Sequence, residues 1–145
     1  MKVRDIMTKD VIGVDGEESV AVAARTLAQH NVGILPVRDS ADKICGLVTD
    51  RDLVIRCVAS GRDPERTRVR EVMTGQVTSV QPDMDVGVAA HLMGRMQVRR
   101  LPVMEQGKLC GMVTLGDLAK REESIMDAAD ALTDITDNIS PGGSW

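Results

Sequence analysis

The sequence predicts an α/β (α+β) fold made of two β-α-β-β-α units, packed with pseudo-twofold symmetry and followed by a C-terminal acidic helix. Three observations lead to this prediction: the first 121 residues consist largely of two copies of one pattern, each copy alternates strand-like and helical segments, and an acidic amphipathic segment follows. The predicted division is residues 1–66 for the first repeat with its linker, 67–121 for the second repeat, and 122–145 for the acidic helix with a flexible end.

The internal repeat is carried by matching segments at a nearly constant spacing. VRDIMT at residues 3–8 returns as VREVMT at residues 69–74, an offset of 66. CGLVT at residues 45–49 returns as CGMVT at residues 110–114, an offset of 65. The second copy is thus one residue shorter. The deletion falls in a polar, turn-like segment, so it shortens a hairpin loop and leaves the flanking strands unchanged.

The sequence pattern of each repeat predicts the same five secondary-structure elements. The first repeat gives a short apolar strand, a helix, two hairpin strands and a second helix, at residues 11–14, 18–30, 34–37, 44–48 and 49–60. In the second repeat, the first strand and helix correspond to residues 77–80 and 85–96. Asp15, three residues before Glu18, is predicted to cap the first helix. One unit alone would expose too much apolar surface, so the two copies are expected to pack through their sheets.

Composition excludes several classes of function. Phe and Tyr are absent and Trp145 is the single aromatic residue, which excludes nucleic-acid binding by base stacking. The net charge of −4 makes the protein a poor partner for nucleic acid or an anionic membrane. No apolar run reaches the roughly 18 residues of a membrane span, and the N-terminal segment lacks the apolar stretch of a signal peptide. We therefore expect a cytoplasmic protein.

The sequence offers no constellation for catalysis or for metal binding. Cys45, Cys57 and Cys110 are odd in number and widely spaced, which indicates reduced thiols packed as small hydrophobic residues on buried elements. His30 and His91 lack neighbours at ligand spacing and are interpreted as surface histidines. The sequence therefore predicts a protein that is not an enzyme and that needs no cofactor or metal.

Two segments in register resemble a known family. GLVTDRD at residues 46–52 and GMVTLGD at residues 111–117, each preceded by an apolar-Pro-Val strand and opened by DIMT or EVMT, look like a tandem pair of cystathionine β-synthase (CBS) domains. The layout is similar to that of small stand-alone bacterial CBS-pair proteins. The resemblance implies a non-catalytic sensor that binds an adenosyl ligand such as AMP, ATP, NAD or S-adenosylmethionine in clefts between the repeats. It also implies a homodimer, a possible regulated protein partner, and AMP or ATP as the expected effector.

The Thr-x-x-Asp pattern occurs once in each repeat, at Thr49 and Asp52 and at Thr114 and Asp117. One interpretation is a capping box, in which Thr caps a helix and the acid bonds back to its backbone amide. The other is ligand binding, because one carboxylate can accept both hydroxyls of a ribose while the Thr hydroxyl and helix amides receive a phosphate. The two roles can coexist, and the resemblance implies ribose binding by the Asp residues and phosphate binding by the Thr residues.

The repeats diverge just before the Leu-Pro-Val strand, where Arg99 and Arg100 stand opposite Gly33 and Ile34. Guanidinium groups bind phosphate oxygens bidentately, although solvated surface arginines or an ion pair with an acid are the alternative. The resemblance implies a repeat 2 cleft formed by Arg99, Arg100, Thr114 and Asp117, with main chain near Met7, Ile12, Val32 and Gly33 around the adenine. It implies a repeat 1 cleft formed by Thr49 and Asp52, in which Arg51 is a candidate substitute for the missing arginines.

The acidic segment after the repeats has helical periodicity. Its apolar stripe comprises Ile125, Ala128, Ala129, Leu132, Ile135 and Ile139. The stripe is rich in alanine, which slightly favours contact with a second chain over cover for its own core. The alternative function is a structural or interaction module that binds no nucleotide and acts through its dimer surface or this helix.

Overall fold

The computed structural model describes residues 1–121 and 124–137, which form two compact units. Residues 12–77 form one of them, here called the continuous unit. Residues 1–11 join the described residues from 78 onward in the other, here called the composite unit. The compact units thus differ from the sequence repeats by the first eleven residues of each repeat. Glu122, Glu123, Ile139 and the predicted flexible end lie outside the described residues.

The continuous unit contains a three-stranded sheet and its helices. Its elements are β1 (Val14–Asp15), α1 (Val20–His30), β2 (Ile34–Arg38), β3 (Ile44–Thr49), α2 (Asp50–Leu53) with a π-helical continuation (Val54–Val58), and α3 (Val69–Val72). The strand order is β1-β2-β3, with β1 parallel and β3 antiparallel to β2. The fold class predicted from the sequence is confirmed, since helices and strands follow one another in the predicted order.

The composite unit repeats this order with a smaller sheet. Its elements are a 3-10 turn (Val3–Asp5), α4 (Val86–Met96), β4 (Arg100–Glu105), β5 (Lys108–Thr114), α5 (Leu115–Ala119) and α6 (Ile125–Asp137). β4 and β5 are antiparallel. The strand predicted at residues 77–80 is reduced, within the described part of the chain, to a single parallel bridge between Val80 and Val103.

The start of α1 differs from the prediction. Ser19 is the N-cap, and its hydroxyl accepts a hydrogen bond of 3.2 Å from the Val22 amide. The predicted cap, Asp15, accepts instead from the Glu17 amide at 2.9 Å. A hydroxyl satisfies the N3 amide only from the residue directly before the first helical turn, and Asp15 lies too far upstream for that role.

The first segment of each repeat packs in an unexpected place. Thr8 forms a reciprocal pair of backbone hydrogen bonds with Met112 of β5, at 2.8 and 2.9 Å. Thr74 forms the equivalent pair with Leu47 of β3, at 2.8 and 3.0 Å. The segment that opens the first repeat therefore belongs to the hairpin of the second, and the segment that opens the second belongs to the hairpin of the first.

Glycine in β3 and β5 permits these pairings. A Cβ added to Gly46 would lie 2.7 Å from the carbonyl oxygen of Thr74, and one added to Gly111 would lie 2.7 Å from that of Thr8. The sulfur atoms of Met73 and Met7 would be 2.7 and 2.8 Å from the same two positions. A side chain at either glycine would displace the paired backbone.

We expect Gly46→Ala and Gly111→Ala each to lower the free energy of unfolding by about 1–3 kcal/mol, because an overpacked core position must push a neighbour aside. Gly75→Ala is the matched control, since its added Cβ would meet nothing within 4 Å. Chemical denaturation of the three variants measures the difference. Equal midpoints for Gly46→Ala and Gly75→Ala would contradict the close pairing.

Helix α6 covers its own unit, which was the less favoured of the two predicted roles. It packs on α4 and α5, and its buried side chains are Ala128 and Ala131. The predicted stripe was also rotated, because Ile125, Ala129 and Leu132 are exposed whereas Ala131, which the prediction left out, is buried. No helix within residues 1–121 and 124–137 is long and apolar enough to span a bilayer.

Candidate functional site

The end of the β4–β5 hairpin brings the predicted phosphate-binding residues together. Arg100 lies opposite Thr114 in the strand pairing, and the Leu115 amide donates to the Arg99 carbonyl at 2.8 Å. These two contacts hold the start of β4 beside the start of α5. Arg99, Arg100 and Thr114 consequently line one cavity of about 550 Å³, which also reaches α6.

Asp117 and Thr114 form a capping box at the start of α5. The Thr114 amide donates to Asp117 Oδ2 at 2.9 Å, and the Asp117 amide donates to Thr114 Oγ1 at 3.0 Å. The capping interpretation is therefore confirmed. It uses one carboxylate oxygen and the acceptor side of the hydroxyl, so Asp117 Oδ1 and the Thr114 hydroxyl hydrogen remain available for a ligand.

Thr49 and Asp52 form the same box at the start of α2. The Thr49 amide donates to Asp52 Oδ2 at 3.0 Å, and the Asp52 amide donates to Thr49 Oγ1 at 3.1 Å. Asp52 is buried, whereas Asp117 is half-buried. The two boxes match in geometry, so a difference in function between the repeats must come from the residues around them.

Arg99 and Arg100 are both exposed. Neither forms an ion pair with any of the described residues, although nine other ion pairs are present among them. Of the two alternatives to phosphate binding, an ion pair with an acid is thus not found in residues 1–121 and 124–137. Two unpaired guanidinium groups on one cavity leave their donors free for an anionic ligand.

The equivalent place in the first repeat is different in charge. The Asp50 amide donates to the Gly33 carbonyl at 3.1 Å, as Leu115 does to Arg99. Asp50 and Val32 line a cavity of about 450 Å³, mostly apolar, to which no Lys or Arg contributes. Arg51 is exposed and lies outside that lining, and its role as a substitute for the arginines stays a prediction.

Asp50 marks a difference in charge between the repeats that the sequence prediction missed. It occupies the position of Leu115, directly after the Thr of the capping box. A carboxylate there repels a phosphate next to Thr49, since like charges at short range disfavour each other. The signal was readable from the repeat, where TDRD in the first copy faces TLGD in the second.

The residues predicted around the adenine are divided between the units. Met7 lies in the composite unit, against Gly111, and lines a separate polar cavity of about 450 Å³ that includes Cys110. Ile12, Val32 and Gly33 lie in the continuous unit, where Ile12 and Val32 are exposed. Their contacts with adenine stay a prediction.

The cysteines lack the environment of reactive thiols. Cys45 and Cys110 are half-buried rather than buried, and their thiols donate to the carbonyls of Val37 and Val103 at 3.5 and 3.3 Å. Burial raises the pKa of both thiols, and the nearby carboxylates, Asp39 for Cys45 and Glu105 for Cys110, raise it further. Both thiols are therefore protonated at neutral pH. No three His, Cys, Asp or Glu side chains of the described residues are grouped so as to hold a metal ion.

Comparison with known proteins gives a consistent result. The model of the CBS domain family matches residues 3–58 and 69–124. The CBS domain-containing protein YhcV of Bacillus subtilis is 42% identical over 134 residues, which cover 92% of this chain and 94% of that protein.

Solved structures agree with this match. The crystal structure of Hypoxic Response Protein I with two coordinated zinc ions is 33% identical, with a TM-score of 0.76, over 83% of this chain and 98% of that chain. A CBS domain pair in complex with 5′-methylthioadenosine and S-adenosyl-L-methionine is 27% identical, with a TM-score of 0.73, over 83% of this chain and 94% of that chain.

Proposed function

Since this chain belongs to the CBS domain family, whose paired domains are regulatory modules, we propose that it senses an adenosine-containing nucleotide and transmits occupancy of its site. The observation that carries the proposal is the cavity lined by two unpaired arginines and the Thr114 hydroxyl. A similar CBS pair holds 5′-methylthioadenosine and S-adenosyl-L-methionine, which supports an adenosine ligand as the class.

Each functional group of the ligand has a candidate partner in the composite unit. The free carboxylate oxygen of Asp117 accepts the ribose hydroxyls, and the 5′ phosphate lies between Arg99, Arg100 and the Thr114 hydroxyl. Hydrogen bonds between charged groups are the strongest available to the protein. AMP or ATP is therefore the expected effector, and the chain itself carries out no reaction.

The first repeat contributes a weaker or different site in this proposal. Thr49 and Asp52 provide the same ribose-binding geometry, but Asp50 stands where a phosphate would approach. We therefore expect tight binding of a phosphorylated ligand at one site per chain.

Calorimetry with adenosine, AMP, ADP, ATP, NAD and S-adenosylmethionine at one salt concentration tests the proposal. We expect saturable binding of at least one phosphorylated ligand, with a stoichiometry near one per chain and an affinity that falls as salt is added. Absence of binding across the whole panel would favour a structural or interaction module instead.

We further propose that the protein forms a homodimer through the helical face of the continuous unit. Leu53 is buried there, but Val54 and Val58 are 54% and 63% exposed, and Val32 lies beside them on the same cavity. The equivalent face of the composite unit is covered by α6, which leaves Leu118 fully buried. An exposed apolar patch of this kind marks an interface, and a twofold dimer is the commonest closed assembly.

The double variant Val54→Glu/Val58→Glu is expected to be a monomer at tens of micromolar, because it places charge in the proposed interface. Val88→Glu is the control, since Val88 is 53% exposed on α4 in the other unit and its variant should remain a dimer. Light scattering of the three proteins decides the question. A monomeric wild-type protein would contradict the proposal directly.

A cytoplasmic location and a regulated protein partner complete the proposal. The three free thiols, at Cys45, Cys57 and Cys110, fit a reducing compartment. A sensor without a reaction of its own needs a partner to receive the signal, and the exposed faces of the dimer are where such a partner would bind.

A further inference from the structure

The cavity beside Arg99 and Arg100 is lined by two chemically different sets of residues. One set consists of the two guanidinium groups and the Thr114 hydroxyl. The other comes from α5 and α6 and is apolar: Leu115, Ala119, Ile125, Ala128, Ala129 and Leu132. Helix α6 thus forms an apolar wall of the cavity in which the proposed function places the 5′ group of the ligand.

This wall is fixed to the unit by close contacts. The fully buried Ser124, directly before α6, donates its hydroxyl to the Leu118 carbonyl at 2.6 Å. A Cβ added to Gly94 of α4 would lie 3.4 Å from the Cα of Ala131, so the two helices approach each other closely. Moving α6 away from the cavity would expose this contact and break the buried hydrogen bond.

The wall is also unfavourable for additional phosphates. Residues 124–137 contain no Lys, Arg or His that could pair an additional phosphate. A phosphate pressed against apolar side chains loses water without gaining a partner, which is costly for a charged group.

From these contacts we propose that α6 makes the site selective for adenosine ligands with a single 5′ phosphate over ligands with a triphosphate. The inference rests on the proposed function, because it needs the 5′ group to lie in this cavity. The first phosphate is paired by Arg99, Arg100 and Thr114, whereas a second and third phosphate meet the apolar wall. The helix that follows the second repeat therefore sets the ligand class of the site.

Two lysine variants of α6 test this inference. Leu132 lines the cavity and is 41% exposed, whereas Met126 lies on the same helix, is 70% exposed and does not line it. Leu132→Lys and Met126→Lys change the net charge equally, and neither replaces a buried side chain. Calorimetry with adenosine, AMP and ATP, without Mg²⁺ so that the triphosphate keeps its full charge, is carried out on both variants and the wild type.

We expect wild-type protein to bind AMP at least about tenfold more tightly than ATP. Leu132→Lys should raise the affinity for ATP about tenfold, with a change of less than about threefold for AMP, because the new ammonium group pairs the outer phosphates. Met126→Lys should change neither affinity by more than about threefold, since an exposed charge away from the cavity is screened.

Equal wild-type affinities for AMP and ATP would overturn the inference while leaving the proposed function intact. An equal gain in ATP affinity from both lysines would also overturn it, because the effect would then be one of net charge. If adenosine, AMP and ATP all fail to bind the wild type, the proposed function fails and the inference fails with it. Thermal unfolding of each variant verifies that the fold is retained.

Discussion

Replacing Asp117 with alanine is expected to weaken AMP binding about tenfold to a hundredfold, because the ribose loses hydrogen bonds to a carboxylate worth about 1.5–3 kcal/mol. Asp52→Ala is the matched variant. It removes an equivalent capping box, so both variants should lose about 1 kcal/mol of stability. Only Asp117→Ala should lose AMP affinity at the tight site. Calorimetry measures the affinity, and chemical denaturation measures the stability.

Arg100→Ala distinguishes the contribution of the phosphate to binding affinity from the contribution of the ribose. It should remove much of the preference for AMP over adenosine, and much of the salt dependence, while adenosine binding changes little. If Asp117→Ala and Asp52→Ala lose stability alike and AMP affinity alike, the assignment of the tight site to Arg99 and Arg100 is wrong.

Ending the chain after Arg121 is expected to lower the free energy of unfolding by about 3 kcal/mol or more, since full burial of each large apolar side chain contributes about 1.5–3 kcal/mol. Removal of α6 uncovers Met93 and Leu118, which are fully buried, and Ala90. It also removes the buried hydrogen bond from Ser124 to the Leu118 carbonyl. For a protein of this size the melting temperature should fall by about 10 °C.

A chain ending after Asp137 is the control for this truncation, because it keeps all of α6 as the structure describes it. Its melting temperature should stay above that of the shorter chain, because Met93 and Leu118 keep their cover. Equal melting temperatures for the two truncated chains would show that α6 does not cover the core, and would return the helix to a role in contacts with a second chain.

Repetition allowed the sequence to predict most of the local structure. Side chains of a strand such as β3 alternate between the two faces of the sheet. The segment CGLVT returns with one substitution as CGMVT, which indicates that both copies fold alike. The Thr-x-x-Asp pattern predicted both capping boxes, because the box depends only on residues three apart. Signals of this kind are local, and local geometry is what a sequence pattern encodes.

Features that depend on distant contacts were not predicted. Whether Asp15 or Ser19 caps α1 depends on the residue at which the helix begins. Hydrophobic periodicity does not fix the ends of a helix to the residue. The buried face of α6 is rotated onto Ala131 because Gly94 of α4 leaves room for close approach. That room belongs to another helix, so the periodicity of α6 alone could not reveal it.

The sequence predicted that Arg99, Arg100 and Thr114 act together, and the structure places all three on one cavity. Their binding of a ligand stays a prediction. The contribution of α6 to the same cavity follows from tertiary packing. No residue spacing in the sequence indicates which helix packs beside the cavity.

The pairing of Thr8 with Met112 has a consequence for the order in which the chain folds as it is synthesised. Residues 12–77 form a continuous unit, so this part can fold as soon as it leaves the ribosome. Residues 1–11 are made before the continuous unit, yet their partners in β5 are made about a hundred residues later, and closing so long a loop is slow. Residues 1–11 therefore wait unpaired during synthesis, and the composite unit is completed only when they pair with β5.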